Sequence, residues 1–249
     1  MSNDLRDTAL GYMQAYFEDA SIVKLDSIQS LWSAYGEIAR YAIPSLDKTL
    51  VVKIVKPPEQ KQVLLTHPRG WGGQRSHQRK LDSYKNELIF YQEYAQQTDT
   101  YCRTPTLYFS NANFYKNQRQ DNEAQNDTAG SMLVMEDLDA AGFINRCDEA
   151  PLSTVKLGIR WLAYFHARFL QQAVPNLWQL GTYWHLATRP DEFDKMPDSA
   201  LKQKAHEIDA VLNNATFQTV LHGDAKLANF CFSTNNNDLA AVDFQYVGR

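Results

Sequence analysis

The stretch LHGDAKLANFCFSTNNNDLAAVDFQ, residues 221–245, constrains this chain more than any other. Val220-Leu221 and Phe230-Cys231-Phe232 are short apolar runs flanking a polar loop, so the loop is expected to join two short strands. Leu239-Ala240-Ala241-Val242 is a third apolar run, and it ends in Asp243. A loop carrying Asp224 and Asn229, beside a strand that ends in an acid, can bring two carboxylates and an amide to one point. Phosphoryl transfer uses such a set. One carboxylate orients and deprotonates an attacking hydroxyl, while an amide oxygen and a second carboxylate suit hard magnesium ions. A turn built from Asx residues is the plain alternative.

The rest of the chain divides in two. Residues 4–20 have the spacing of a helix, and 35–43 and 49–55 that of two strands closed by Pro57-Pro58. A Gly-, Arg- and His-rich loop follows, then a helix over about 81–95. Strands are expected at TLYFS after Pro105 and at SMLVMEDL, residues 131–138, with a polar surface excursion at 111–130 between them. Beyond 138–150 helical spacing takes over. One helix is expected to carry an apolar stripe of Leu152, Val155, Ile159, Leu162 and Phe169. A second covers 199–213, with Leu201, Ala205, Ile208 and Leu212 on one face. The expectation is an α+β chain of two lobes with a ligand cleft between them.

Lys53 stands among four aliphatic residues in Val51-Val52-Lys53-Ile54-Val55. Either its head is buried and needs an anionic partner, or strand alternation turns it to solvent. Of the 249 residues 44% are apolar and 22% charged, an ordinary globular composition, and the net charge of −4 argues against wrapping nucleic acid. Three cysteines (102, 147, 231) have no zinc-ligand spacing and no closed pairing. With no secretory signal and no long apolar run, a cytoplasmic location without membrane insertion is expected.

HGDAKLAN followed by VDFQ resembles the catalytic and metal-binding motifs of the aminoglycoside phosphotransferase and choline kinase superfamily. MEDL, WLAYFHARF and DFQYVG are similar to its choline-kinase-like and ecdysteroid-kinase-like branch. The resemblance implies a bilobal protein-kinase-like fold with an antiparallel-sheet N-lobe and a mainly helical C-lobe. Residues 1–138 would be the nucleotide-binding lobe, with a hinge at 135–138. Residues 139–249 would be the C-terminal lobe, with a catalytic loop at 221–232 and a metal motif at 242–245. It implies a kinase that uses ATP and Mg2+ to phosphorylate a hydroxyl of a small molecule, with no nucleic-acid or membrane partner. Asp224 would be the catalytic base, Asn229 and Asp243 the magnesium ligands and His222 the brace of the loop. Lys226 would touch the transferred phosphoryl group, and Lys53 would hold ATP phosphates paired with Glu87. Ser33 and Gly36 would belong to the phosphate loop, and the backbone at Glu136 and Leu138 would meet the adenine edge.

The chain departs from protein kinases in having one glycine, Gly36, at the phosphate loop, Gly223 where they have Arg, and Gln245 where they have Gly. A non-catalytic nucleotide-binding or interaction protein of the same fold is the alternative. The family carries further helices after Asp-Phe-Gln, so the resemblance implies that these 249 residues are a fragment or a shortened protein. Three features keep two readings. His166 is a core histidine or a ligand. The stretch from His67 through Arg69, Arg75, His77 and Arg79 to Lys80 is a solvated loop or a phosphate clamp. Trp161, Trp178, Tyr183 and Trp184 are core residues or a cage for a cationic amine.

Overall fold

The structure, a computed structural model, describes residues 3–31, 35–56, 74–115, 130–183, 185–187 and 189–249, and elements are numbered among these. Helix α1 (Asn3–Phe17) leads into strands β1 (Val23–Ser30), β2 (Gly36–Ile43) and β3 (Lys48–Val55). Helix α2 (Gln74–Ile89) and strands β4 (Leu107–Tyr115) and β5 (Gly130–Glu136) follow. The five strands form one sheet in the order β1-β2-β3-β5-β4, and each neighbouring pair is antiparallel. The remainder is mainly helical: α3 (Leu152–Arg168), α4 (Pro190–Lys195) and α5 (Ala200–Asn213), with a small hairpin of β6 (Phe230–Phe232) and β7 (Leu239–Ala241). The chain is therefore α+β, with an antiparallel-sheet N-lobe. No described helix is long and apolar enough to cross a membrane.

Strand alternation decides which residues meet the site. In β3, Leu50, Val52 and Ile54 point to one face of the sheet. There they pack with Ala9 and Met13 of α1, with Ala39, Tyr41 and Ile43 of β2, and with Met132 and Val134 of β5. The intervening residues point to the opposite face, where Val55 packs with Leu81 and Tyr84 of α2. Lys53 shares that face and is buried, so it is turned toward α2 and not toward water.

A second core joins the lobes. Phe90, Tyr91 and Tyr94 follow α2 as a single π-helical turn and pack with Trp161 and Phe165 of α3, with Phe169 just after it, with the β6–β7 hairpin and with Phe244. Phe244 is fully buried; its ring stacks on Phe90 at 4.0 Å and lies 4.5 Å from the His222 ring. Burial of such a ring contributes about 1.5–3 kcal/mol. It pins the residue on either side of it, Asp243 and Gln245.

Several local expectations change. Residues 23–30, which precede the expected phosphate loop, form the edge strand β1, so the sheet has one strand more than the pattern suggested. Its sequence VKLDSIQS is mostly exposed, which hides the strand from a search for buried alternation. Helix α2 begins at Gln74, so His77, Arg79 and Lys80 are helical and not in a loop. The core stripe of α3 is Thr154, Gly158, Trp161 and Phe165, continued by Phe169, whereas Leu152, Val155 and Ile159 are exposed. Helix α5 buries none of its residues, and Leu201, Ile208 and Leu212 face out. Finally, Leu221 forms an isolated bridge with Gly248 and not a strand.

Candidate active site

Lys53 is the hub. Its Nζ lies 2.6 Å from Glu87 Oε2 and 3.4 Å from Asp243 Oδ1. Burial works to lower the Lys53 pKa, but the charges of Glu87 and Asp243 outweigh it and hold the group above its usual value. At Asp243 burial pushes upward, and the positive charges of Lys53 and Lys80 overcome it, so the carboxyl sits below its usual range. Lys53 and Asp243 thus face each other as opposite charges, while at Glu87 burial outweighs the attraction of Lys53 and raises the carboxyl above its usual range. Glu87 reaches Lys53 because α2 turns residues 80, 83, 84 and 87 to one side, one or two turns apart.

The loop at 222–229 is built around His222. Its Nε2–H donates to the Val242 carbonyl at 3.0 Å, and its Nδ1 accepts from the Asp224 backbone N–H at 3.3 Å. A carbonyl can only accept and a backbone N–H can only donate, so these partners fix the neutral Nε2–H tautomer. Burial lowers its pKa in the same sense. Asn229 closes a 3₁₀ turn, Leu227–Asn229, and donates from Nδ2 to the Asp224 carbonyl at 2.9 Å and to Asp224 Oδ2 at 3.2 Å. Lys226 Nζ reaches the same Oδ2 at 2.7 Å. His222 therefore braces the loop from behind, and Lys226 and Asn229 orient the Asp224 carboxylate.

Gly223 explains its own identity. Its φ is +82°, and a Cβ there would collide with the carbonyl oxygen of Tyr246. The Arg that protein kinases carry at this step cannot fit so close a backbone approach. Gly36 is of the same kind: φ is +144°, and a Cβ would collide with the Ile54 carbonyl. Its pairing with Val55 in the β2–β3 ladder requires a glycine whatever it does for a ligand.

The end of strand β5 is fastened by side chains. Glu136 accepts from Arg103 and from the Thr106 N–H, and its own N–H donates to the Thr106 carbonyl at 2.9 Å. Leu138 is buried with Cys231 and Ala240, and its carbonyl accepts from the Phe143 N–H at 2.8 Å. Asp137, which the motif reading passed over, is the anchor. It accepts from Arg40 Nε and Thr49 Oγ1, each at 2.7 Å. Burial opposes its ionisation, but these donors keep its pKa low. Arg40 also holds Asp139 at 2.6 Å. The signal was present as a second acid in Met-Glu-Asp-Leu-Asp, but its partners lie on other strands.

Among the expected site residues, Lys53, Glu87 and Asp243 meet directly, and Asp224, Asn229, Lys226 and His222 form one loop beside them. Ser33 and Trp184 lie outside the described residues, as do His67 and Arg69. Lys80, named only within the basic stretch, and Gln245, named only as a departure within the 242–245 motif, also touch this cluster. Lys80 Nζ lies 3.0 Å from Gln245 Oε1 and 4.8 Å from the Tyr84 ring centre. Burial first, and then the charge of Lys53, lower its pKa to about 8. A cage for a cationic amine finds little support. Trp161 is in the core, and Arg189 already lies over the Tyr183 ring, 4.3 Å from its centre.

Residues 48–171 match the sequence model of the ecdysteroid kinase-like family. Over this stretch, just under half of its length, the chain is similar to that family. The stretch holds Lys53, Glu87, Glu136 and Leu138, while residues 221–245 lie outside it. Among solved structures, the chain is similar to the Cydia pomonella granulovirus kinase PK-1, at a TM-score of 0.40 and 12% identity, over 97% of this chain and 59% of that one. The chain thus spans 59% of that kinase's length. A comparison with curated proteins gave no match.

The residues fit a magnesium nucleotide. Asn229 uses its amide nitrogen on Asp224, which leaves its oxygen as the ligand end. Among the described residues both side-chain hydrogen bonds of Asp243 fall on Oδ1, which leaves Oδ2. Among the described residues no cluster of three His, Cys, Asp or Glu side chains could hold a metal by itself. The donor set is the hard, oxygen-only kind that shares its ion with phosphates.

Proposed function

We propose that this chain belongs to an ATP- and magnesium-dependent phosphotransferase that phosphorylates a hydroxyl of a small molecule. The observation that carries this reading is the pair of contacts from Lys53 to Glu87 and Asp243, two carboxylates on separate elements converging on one buried cation. The similarity to the ecdysteroid kinase-like family over residues 48–171 supports it.

In this reading residues 1–138 are the nucleotide-binding lobe, with the hinge at 135–138, and residues 139–249 carry the catalytic loop and the metal motif. Lys53 orients phosphates and is itself held by Glu87. The adenine edge would meet the Glu136 carbonyl and the Leu138 N–H. Asn229 and Asp243 would hold magnesium, which when bound offsets charge on the phosphates. Asp224 accepts the proton of the acceptor hydroxyl, and its carboxylate is kept oriented by Asn229 and Lys226. Lys226 is half-exposed at the loop surface, where it could also contact the phosphoryl group in transit. The family's name points to an ecdysteroid hydroxyl as one acceptor class.

The test is titration calorimetry of ATP with and without magnesium, followed by ATP turnover with alcohols, amino alcohols and sterols. Substrate-stimulated turnover that falls about 10²–10⁴-fold in Asp224→Ala supports the reading. Nucleotide binding with no turnover on any acceptor would favour the non-catalytic alternative.

A further inference from the structure

The segment after Asp243 is tied to helix α2 by side chains that phosphate binding does not require. Gln245 is buried. Its Oε1 accepts from Lys80 Nζ at 3.0 Å and its Nε2 donates to Asp243 Oδ1 at 2.8 Å, while Ser83 Oγ lies 3.2 Å from Oε1 and shares its single hydrogen between Oε1 and the Lys80 carbonyl at 2.8 Å. A lysine head only donates and an ionised carboxylate only accepts, so one orientation of the amide satisfies both ends. Asn86, also on α2, donates to the carbonyls of Gln245 at 3.2 Å and Val247 at 2.7 Å, fixing the backbone that carries the amide.

Lys53 meets the same oxygen, Asp243 Oδ1, at 3.4 Å, and Lys53 is held by Glu87. Glu87 lies about two helical turns after Lys80. One oxygen is therefore reached from two levels of a single helix. One arm runs Glu87–Lys53–Asp243, and the other runs from Lys80 and Ser83 through Gln245 to Asp243. Asp243 also has φ +66°, a left-handed conformation that costs a non-glycine residue energy and needs surroundings that enforce it.

We propose that Gln245 is a positioning residue: it holds Asp243 by Oδ1, turns Oδ2 outward for a cation, and makes that orientation depend on helix α2 sitting where Lys80 and Ser83 reach the amide. The inference rests on the reading of Asp243 as a magnesium ligand.

Two variants separate positioning from mere attachment. Gln245→Glu keeps an oxygen acceptor for Lys80 and Ser83 but exchanges the donor facing Asp243 for a carboxylate. Gln245→Leu removes both links. ATP affinity is measured by calorimetry with and without magnesium for wild type and both variants, and crystal structures of all three give the Asp243 rotamer. The expected result is that magnesium-dependent tightening falls about tenfold or more in both variants, the loss of one hydrogen bond to a charged group. Metal-free ATP affinity stays unchanged and the Lys53–Asp243 contact is lost. A Gln245→Glu protein with the wild-type magnesium response and the wild-type Asp243 rotamer overturns the proposal, because attachment to α2 would then be the whole role. If wild type itself shows no magnesium response while Asp243 is displaced in both variants, the positioning role stands and the magnesium reading falls.

Discussion

Lys53 Nζ is 2.6 Å from Glu87 Oε2, with both side chains almost wholly buried. Removing one member of such a pair leaves an uncompensated charge in the interior, at a cost of about 3–5 kcal/mol. Lys53→Met is therefore expected to be strongly destabilising, and Glu87→Gln less so, because Asp243 still lies 3.4 Å from the Lys53 head. The double variant should cost less than the sum of the two by about 1 kcal/mol or more. Denaturant unfolding of the four proteins measures this coupling, and simple additivity would show that the two side chains do not act as a pair.

Glycines of opposite kind give a second prediction. Gly223→Ala forces a Cβ against the Tyr246 carbonyl at positive φ, so the 222–229 loop and residues 246–248 must separate. The expected effect is a lower melting temperature and loss of nucleotide-dependent turnover together. Gly11 lies inside α1, and a methyl group added there would meet nothing within 4 Å. Gly11→Ala should raise stability by about 0.5–1 kcal/mol from helix propensity alone. Equal effects from the two substitutions would contradict the packing account of Gly223.

His222 sets a pH dependence. Burial depresses its folded-state pKa below the ordinary 6.5. As pH falls through 6.5 the unfolded chain takes up a proton that the folded protein refuses, so stability is lost below that value and is fully present above it. His77 and His166 are shifted the same way by burial and add to the slope. Melting temperatures from pH 8 to pH 5 should fall on the acid side, and less steeply in His222→Gln. The same acid slope in that variant would mean that His222 is not kept neutral by the fold.

Helix α3 allows a fourth test. Trp161 is buried, stacks on Phe165 at 4.9 Å and donates to the Arg103 carbonyl at 3.1 Å. Ile159 is 61% exposed. Trp161→Ala should cost about 3–5 kcal/mol, and Ile159→Gln should stay within about 0.5 kcal/mol. Chemical denaturation distinguishes them, and a large loss in Ile159→Gln would mean that the outward face has a partner in solution.

That helix also marks what the sequence could and could not tell. Leu152, Val155 and Ile159 have the spacing of an apolar face, but so does the neighbouring row of Thr154, Gly158, Trp161 and Phe165. Close packing chose the second row. A Cβ on Gly158 would lie 3.5 Å from the Phe230 ring, so a small residue lets the helix approach. Hydrophobicity alone does not register that preference. Strand β1 was missed because its side chains are exposed at the sheet edge. The Lys53–Glu87 contact was legible, because a lysine buried among aliphatics needs an acid and the family resemblance pointed to one on the following helix. Gln245, Lys80 and Asp137 were not, because their roles depend on partners far away in sequence, 165 residues apart for Lys80 and Gln245.

The central claim is that Asp243 is a magnesium ligand for a bound nucleotide. ATP affinity across a magnesium series, for wild type and Asp243→Asn, tests it most directly. The substitution keeps the shape and removes the charge that compensates a divalent ion. The account predicts that magnesium tightens ATP binding in wild type and that this tightening shrinks sharply in Asp243→Asn, with the fold retained by circular dichroism. An unchanged magnesium response in Asp243→Asn would contradict it.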